Sequence, residues 1–155
     1  MFKKLVLALG ILAFGLVGSC VFMVGRGALL DATQNKEVAV EATRQLAKAW
    51  NVNDVRPYFT TNVLRQINFD SAQATMNSFK PLGKLTNVTS ASQTEYRVHK
   101  SFGGETSTTA TVVIQGAFEN GAATITVKLA NDGPAMKVVH IHVHAPGPLV
   151  VRERA

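Results

Sequence analysis

The chain has 155 residues, of which 46% are hydrophobic and 17% are charged. Once residues 1–30 are set aside as an apolar N-terminal region, the rest is long enough for one domain with a single core and too short for two. The net charge of +6 does not indicate nucleic-acid binding, because the Lys and Arg residues of the rest of the chain are scattered and form no cluster.

The N-terminal region has the pattern of a membrane anchor. Lys3 and Lys4 precede an uncharged run, Leu5–Gly25, and Arg26 follows it. A helix over this run is about 31 Å long, which matches a hydrocarbon core of roughly 30 Å. The two lysines favour a cytoplasmic N-terminus, so we expect the domain on the extracytoplasmic side, in the periplasm of a Gram-negative host.

Two alternatives remain open for this region. The residues before Cys20 resemble a lipoprotein box, in which the cysteine is lipidated after cleavage, although residues 21–24 stay apolar where lipoproteins turn polar. A cleaved secretory signal peptide is the other alternative. All three readings export the domain, and because Cys20 is the only cysteine, the domain has no internal disulfide.

Residues 31–35 are predicted to be a linker, and the domain follows over residues 36–146. A helix is expected from Lys36 to Trp50, because Val38, Ala42 and Leu46 recur at helical spacing. Residues 147–155 are expected to form a loose tail.

Two shorter helices are predicted next. Asp54 can cap a helix from Val55 to about Gln66, with Pro57 tolerated in its first turn. Asp70 or Ser71 can cap a third helix. Its apolar side consists of Ala72, Met76 and Phe79, and Pro81 and Gly83 end it.

Strand patterns follow over residues 85–101, 106–119, 122–130 and 135–145. Asn120-Gly121 between two alternating runs is a strong hairpin signal. One face of the central strands is apolar, with Val112, Ile114 and Phe118 on one strand and Ala123, Ile125, Val127 and Leu129 on the next. The sequence therefore predicts an α+β domain in which helices pack on one face of a four-stranded antiparallel meander.

Three segments resemble the nuclear-transport-factor-two-like superfamily, which has a cystatin-like cone fold. They are residues 49–59, with Trp50, Asp54 and Phe59; the hairpin Phe118–Ala122; and the last strand, Met136–His142. The resemblance covers residues 36–146 and implies a cone of helices over a curved sheet. It implies no single activity, because the superfamily includes isomerase-like enzymes, cyclases, transport factors and exported proteins of unknown function.

Three histidines are the sharpest chemical feature. His140, His142 and His144 alternate along one strand and are expected to share one face. Alternate histidines can chelate zinc, but a closed site needs a fourth ligand, and His99 is the only other histidine. Two further interpretations remain open, in which the histidines line a pocket or lie on a solvated sheet face.

Asp54 and Tyr58 are the remaining candidates for chemistry. The resemblance implies a carboxylate and a tyrosine that line the cone as base and hydrogen-bond donor. The residues by themselves equally indicate a helix cap at Asp54 and a core anchor at Tyr58.

The function that the sequence favours is non-catalytic. A membrane-anchored exported domain would bind or scaffold a partner protein or a small apolar ligand, and we expect no cofactor and no nucleic-acid partner. One alternative is an isomerase-like or cyclase-like enzyme that uses Asp54, Tyr58, His140 and His142, and another is a metal or pH sensor built on the histidines. The outer sheet face is too polar to predict a large apolar dimer interface.

Overall fold

A computed structural model describes residues 31–146, and one compact unit begins at Asn35. Helices precede strands, as the sequence predicts. The helical part contains α1 (residues 31–49), a 3-10 helix (Val52–Tyr58), α2 (Thr61–Gln66), α3 (Phe69–Asn77) and a second 3-10 helix (Lys80–Leu82). The strands are β1 (Leu85–Lys100), β2 (Thr106–Phe118), β3 (Gly121–Asp132) and β4 (Ala135–His144).

The four strands form an antiparallel meander in the order β1-β2-β3-β4. The predicted apolar face of β2 and β3 is buried, and it joins a single core with residues of α1. The opposite face carries Thr124, Thr126 and Lys128, which stay partly or fully exposed. The predicted α+β class, with helices and a four-stranded antiparallel sheet, is confirmed.

Small side chains let α1 pack closely on the sheet. Its buried positions are Asn35, Ala39, Ala42, Thr43, Leu46 and Ala47. Two of these side chains are polar, and both form hydrogen bonds. Asn35 Nδ2 donates to Gln93 Oε1 of β1 at 2.9 Å, and the Thr43 hydroxyl donates to the Ala39 carbonyl at 2.8 Å. Val38, expected on the buried stripe, is only half-buried.

Trp50 ends α1 in a left-handed conformation, with φ at +53°. Such a residue stops a helix, although a side chain other than glycine makes the conformation costly. Several contacts hold it there. The indole Nε1 donates to the Gly83 carbonyl at 2.8 Å, and its ring packs 5.6 Å from Phe118 and 5.7 Å from Phe79. The side-chain amide of Gln73 donates a hydrogen bond to the Trp50 carbonyl at 2.9 Å.

The prediction of one helix from Val55 to about Gln66, capped by Asp54, is wrong. Asn51 caps the 3-10 helix Val52–Tyr58, and Thr60 caps a separate α2. The chain is extended at Phe59, which bridges Val138 of β4, and the Thr60 amide donates to the Val138 carbonyl at 3.0 Å. This pairing with a distant strand interrupts the helix.

The cap of the third helix also lies earlier than expected, two positions before Asp70. The Asn68 side chain accepts from the Ser71 amide at 3.0 Å, so Asn68 caps α3 and neither Asp70 nor Ser71 does. The predicted end of this helix at Pro81 and Gly83 is wrong, because α3 ends at Asn77 and Pro81 lies in the second 3-10 helix, which Gly83 closes with φ at +76°.

The edge strand β1 has three bulges, each with a threonine as the extra residue. The extra residues are Thr86, Thr89 and Thr94. Each hydroxyl donates to a β2 carbonyl, those of Ala117, Gln115 and Thr111 at 2.9, 3.0 and 3.4 Å. Bulges disrupt the hydrogen-bonding edge of a strand, so they protect β1 against the addition of a further strand.

Candidate functional site

A cavity of about 210 Å³ lies between the helices and β4. We call it the apolar cavity. Its walls come from α1, the first 3-10 helix, α2, α3 and β4. The lining residues are Leu46, Val52, Val55, Phe59, Val63, Ile67, Ala72, Thr75, Met76, Val139, His140 and Ile141. Ten of these twelve are apolar, so the cavity suits a nonpolar occupant.

The broken helix explains why this space is open. The extended segment at Phe59 turns α2 into a short separate helix, and neither α2 nor α3 contains a fully buried residue. These two helices therefore cover the cavity as a thin wall. On the other side, β4 has a bulge in which Val139 is the extra residue, between the pairs Lys128–His140 and Leu129–Val138.

The cavity has a buried floor and a polar rim. Leu46, Val52 and Val55 are at most 4% exposed. Thr75 and His140 are exposed and are the two polar lining residues. The Thr75 hydroxyl donates to the Ser71 carbonyl at 3.1 Å, which leaves its oxygen able to accept another hydrogen bond.

Asp132 ties the start of α2 to the sheet. Its carboxylate accepts from the Thr61 amide at 3.0 Å and from the Thr61 hydroxyl at 2.9 Å, and the Lys137 ammonium lies 3.6 Å away. The two hydrogen bonds from Thr61 are the main reason that the pKa of Asp132 lies below its ordinary value of 3.8; desolvation opposes them, and the nearby Lys137 adds a smaller lowering effect. This contact anchors one end of the cavity wall.

The three strand histidines lie together on the outer face of the sheet. His140, His142 and His144 pair with Lys128, Thr126 and Thr124 of β3. The rings of His140 and His142 are nearly parallel, at 9°, with centroids 6.5 Å apart. Among residues 31–146 there is no group of three or more His, Cys, Asp or Glu side chains placed to hold a metal ion.

The bulge in β4 alters which valine faces the core behind these histidines. Alternation predicts Val139, Ile141 and Val143 on that face. Val143 is buried as expected and Ile141 is half-buried, but Val138, at 0% exposure, takes the place of half-buried Val139, because the chain gains one residue at Val139.

Asp54 and Tyr58 lie on the first 3-10 helix and outside the apolar cavity. Asp54 is exposed, and Tyr58 is half-buried against the core. His142 points to the outer sheet face. Of the four residues proposed for catalysis, only His140 reaches the cavity, so the structure does not bring them together.

The sequence reasoning missed the α2 part of the lining. Leu64 of α2 is 37% exposed, whereas Val63 and Ile67 line the cavity. The spacing of Phe59, Val63 and Ile67 at four-residue intervals was the signal available in the sequence.

Cys20 and the predicted membrane segment Leu5–Gly25 fall outside the described residues, as does the tail over 147–155. Within residues 31–146, no helix has the length and hydropathy needed to cross a membrane. Comparison of the chain with protein-family models, with curated proteins and with solved structures finds no match.

Proposed function

We propose that this domain binds a small apolar ligand in the apolar cavity and does so without catalysis. The observation that carries the proposal is a volume of about 210 Å³ lined by ten apolar residues. A dry apolar cavity of about 150 Å³ is large enough to bind benzene. We therefore expect a ligand of one ring, or of a short branched hydrocarbon chain.

The rim suggests that the ligand has one polar end. Thr75 lies at the exposed margin with a hydroxyl oxygen that can accept a hydrogen bond, whereas the floor at Leu46, Val52 and Val55 offers no side-chain hydrogen-bonding group. Such a ligand places its nonpolar body against the floor and a hydroxyl at the rim. A few polar groups at the margin of a nonpolar pocket are the usual means of orienting a ligand.

The wider setting belongs to the same proposal. We place residues Leu5–Gly25 in a membrane, with the domain on the extracytoplasmic side, on the strength of the uncharged run and the flanking Lys3, Lys4 and Arg26. The order of helices followed by a four-stranded meander supports a cone-like fold of the nuclear-transport-factor-two-like kind. An apolar ligand is itself concentrated at a bilayer, which suits a domain held there.

Amide chemical shifts of the full chain, titrated with toluene, indole and cyclohexanol, test the proposal. We expect saturable shifts at Val63, Ile67 and Ile141 for at least one probe. Ala72→Leu adds a branched apolar group to the cavity lining and should weaken binding at least about tenfold. Ala74→Leu is the matched control, because Ala74 lies on the same helix but is exposed and outside the lining.

Two results would contradict the proposal. One is the absence of saturable shifts with all three probes. The other is an Ala72→Leu variant that binds as tightly as Ala74→Leu, since the probe would then occupy some other site.

A further inference from the structure

A second cavity, of about 290 Å³, lies between the last turns of α1 and the beginning of β1. Three cationic side chains border it: Arg44 and Lys48 from α1, and Lys84 from the residue before β1. Its remaining lining is Ala47, Leu85, Thr86, Asn87 and Val88. The cavity therefore combines a cluster of positive charge with a nonpolar surface.

The three cations have no ion-pair partner among the described residues. Ion pairs there join Arg97 to Glu95 and Lys137 to Asp132, both on the sheet. Lys48 donates instead to the amide oxygen of Gln45 at 2.7 Å.

Two neighbouring carboxylates accept other hydrogen bonds and form no ion pair with these cations. Glu41 accepts from the Gln45 side chain at 2.6 Å, and Glu119 accepts from the backbone amide of Lys84 at 3.0 Å.

This arrangement brings three exposed positive charges to one cavity, where a bound anion would reduce their mutual repulsion. Arg44 and Lys48 are four residues apart on one helix, where like charges repel. The dipole of α1 favours cations near its C-terminus, which accounts for these two but not for Lys84, which lies outside any helix. Carboxylate and phosphate groups are the anions that Arg and Lys side chains bind best.

The bulges of β1 determine which kind of molecule can occupy the cavity. Thr86 and Thr89 are extra residues beside the cavity, and their hydroxyls are committed to β2 carbonyls. A peptide strand cannot extend the sheet along such an edge. The nonpolar floor, however, can hold a short hydrocarbon chain.

We propose that this second cavity binds an amphiphilic anion. A carboxylate or phosphate-monoester headgroup lies between Arg44, Lys48 and Lys84, and the first carbons of its chain lie on Ala47, Leu85 and Val88. The site is separate from the apolar cavity, so neither proposal depends on the other.

Amide-shift titrations of the full chain with hexanoate and hexyl phosphate test the inference. Both should shift the signals of Ala47 and of residues 85–88, and hexanol and inorganic phosphate should bind at least about tenfold more weakly. A variant with Arg44→Gln, Lys48→Gln and Lys84→Gln should lose at least about tenfold in affinity for both anions. The matched control changes three exposed cations elsewhere, Arg65, Lys100 and Lys128, to Gln.

Four outcomes would overturn the inference. If neither hexanoate nor hexyl phosphate shifts these signals, the cavity is not an anion site. Equal binding of hexanol removes the role of the charge, and equal binding of inorganic phosphate removes the role of the nonpolar floor. Equal loss in the control variant would show that overall charge, and not this cavity, attracts the anion.

Discussion

The side chain of Trp50 should contribute a large part of the stability of the domain, and Trp50→Phe measures that part. Phenylalanine keeps a ring between Phe79 and Phe118 but loses the indole nitrogen that donates to the Gly83 carbonyl at 2.8 Å. Both residues have a Cβ atom, so the cost of the left-handed backbone at position 50 is the same in the two proteins. The comparison therefore isolates the side-chain contacts.

The expected loss follows from two contributions. Leaving the partly buried Gly83 carbonyl without its hydrogen-bond donor costs ~1–3 kcal/mol. Trp50 is only 3% exposed, so the smaller ring of phenylalanine leaves unfilled space in the core, which adds ~1 kcal/mol to the loss. We expect a decrease of ~2–4 kcal/mol in the free energy of unfolding.

Urea denaturation followed by far-ultraviolet circular dichroism is the suitable assay, because Trp50 is the only tryptophan and the variant has no indole fluorescence. Phe102→Leu is the control, since Phe102 is fully exposed and should change stability by less than ~0.5 kcal/mol. A loss below ~1 kcal/mol in Trp50→Phe would refute the reasoning, because it would mean that the Gly83 carbonyl finds another partner at little cost.

Two further substitutions test other contacts. Asp132→Asn should lower the free energy of unfolding at neutral pH. The difference from the parent protein should disappear as the pH falls below 3.8 towards the lowered pKa of Asp132, because protonation of Asp132 removes the same interaction from the parent. Urea denaturation between pH 2 and pH 7 measures this difference. Asp54→Asn is the control, because Asp54 is exposed, and its stability should not differ from that of the parent in this way. Gly116→Ala should cost ~1–3 kcal/mol, because its Cβ would lie 2.8 Å from Leu85 and 2.9 Å from Phe118. Gly103→Ala, whose Cβ meets nothing nearer than 4.0 Å, should be nearly neutral in the same measurement, and equal losses would contradict the packing argument.

The sheet was predictable from the sequence where local signals act alone. Asn120-Gly121 determines the central hairpin, and the alternation in β2 and β3 identifies the buried face. The alternation fails in β1, because each bulge at Thr86, Thr89 and Thr94 shifts the period by one residue. Nothing in the local pattern distinguishes a bulged threonine from an ordinary strand threonine.

The helical part was predicted less well, for a different reason. Asn51 and Asp54 are both good caps, as are Asn68 and Asp70, and tertiary contacts decide between them. The chain leaves the helical conformation at Phe59 because β4 offers it a bridge at Val138, and sequence spacing cannot reveal so distant a partner. The resemblance alone suggested Asp54 and Tyr58 for catalysis, and both lie on the first 3-10 helix outside the cavity.

The interruption at Phe59 also makes the wall of the apolar cavity the part of the domain best suited to respond to a ligand. The helices α2 and α3 contain no fully buried residue, and α2 is held to the sheet by the bridge at Val138 and by Asp132. Elements with few buried contacts open at low free-energy cost, so this wall should open before the core does. A ligand in the cavity would contact Val63, Ile67 and Ala72 from inside, and it would supply the buried contacts that these two helices lack. Ligand binding should therefore stabilise the wall more than the sheet.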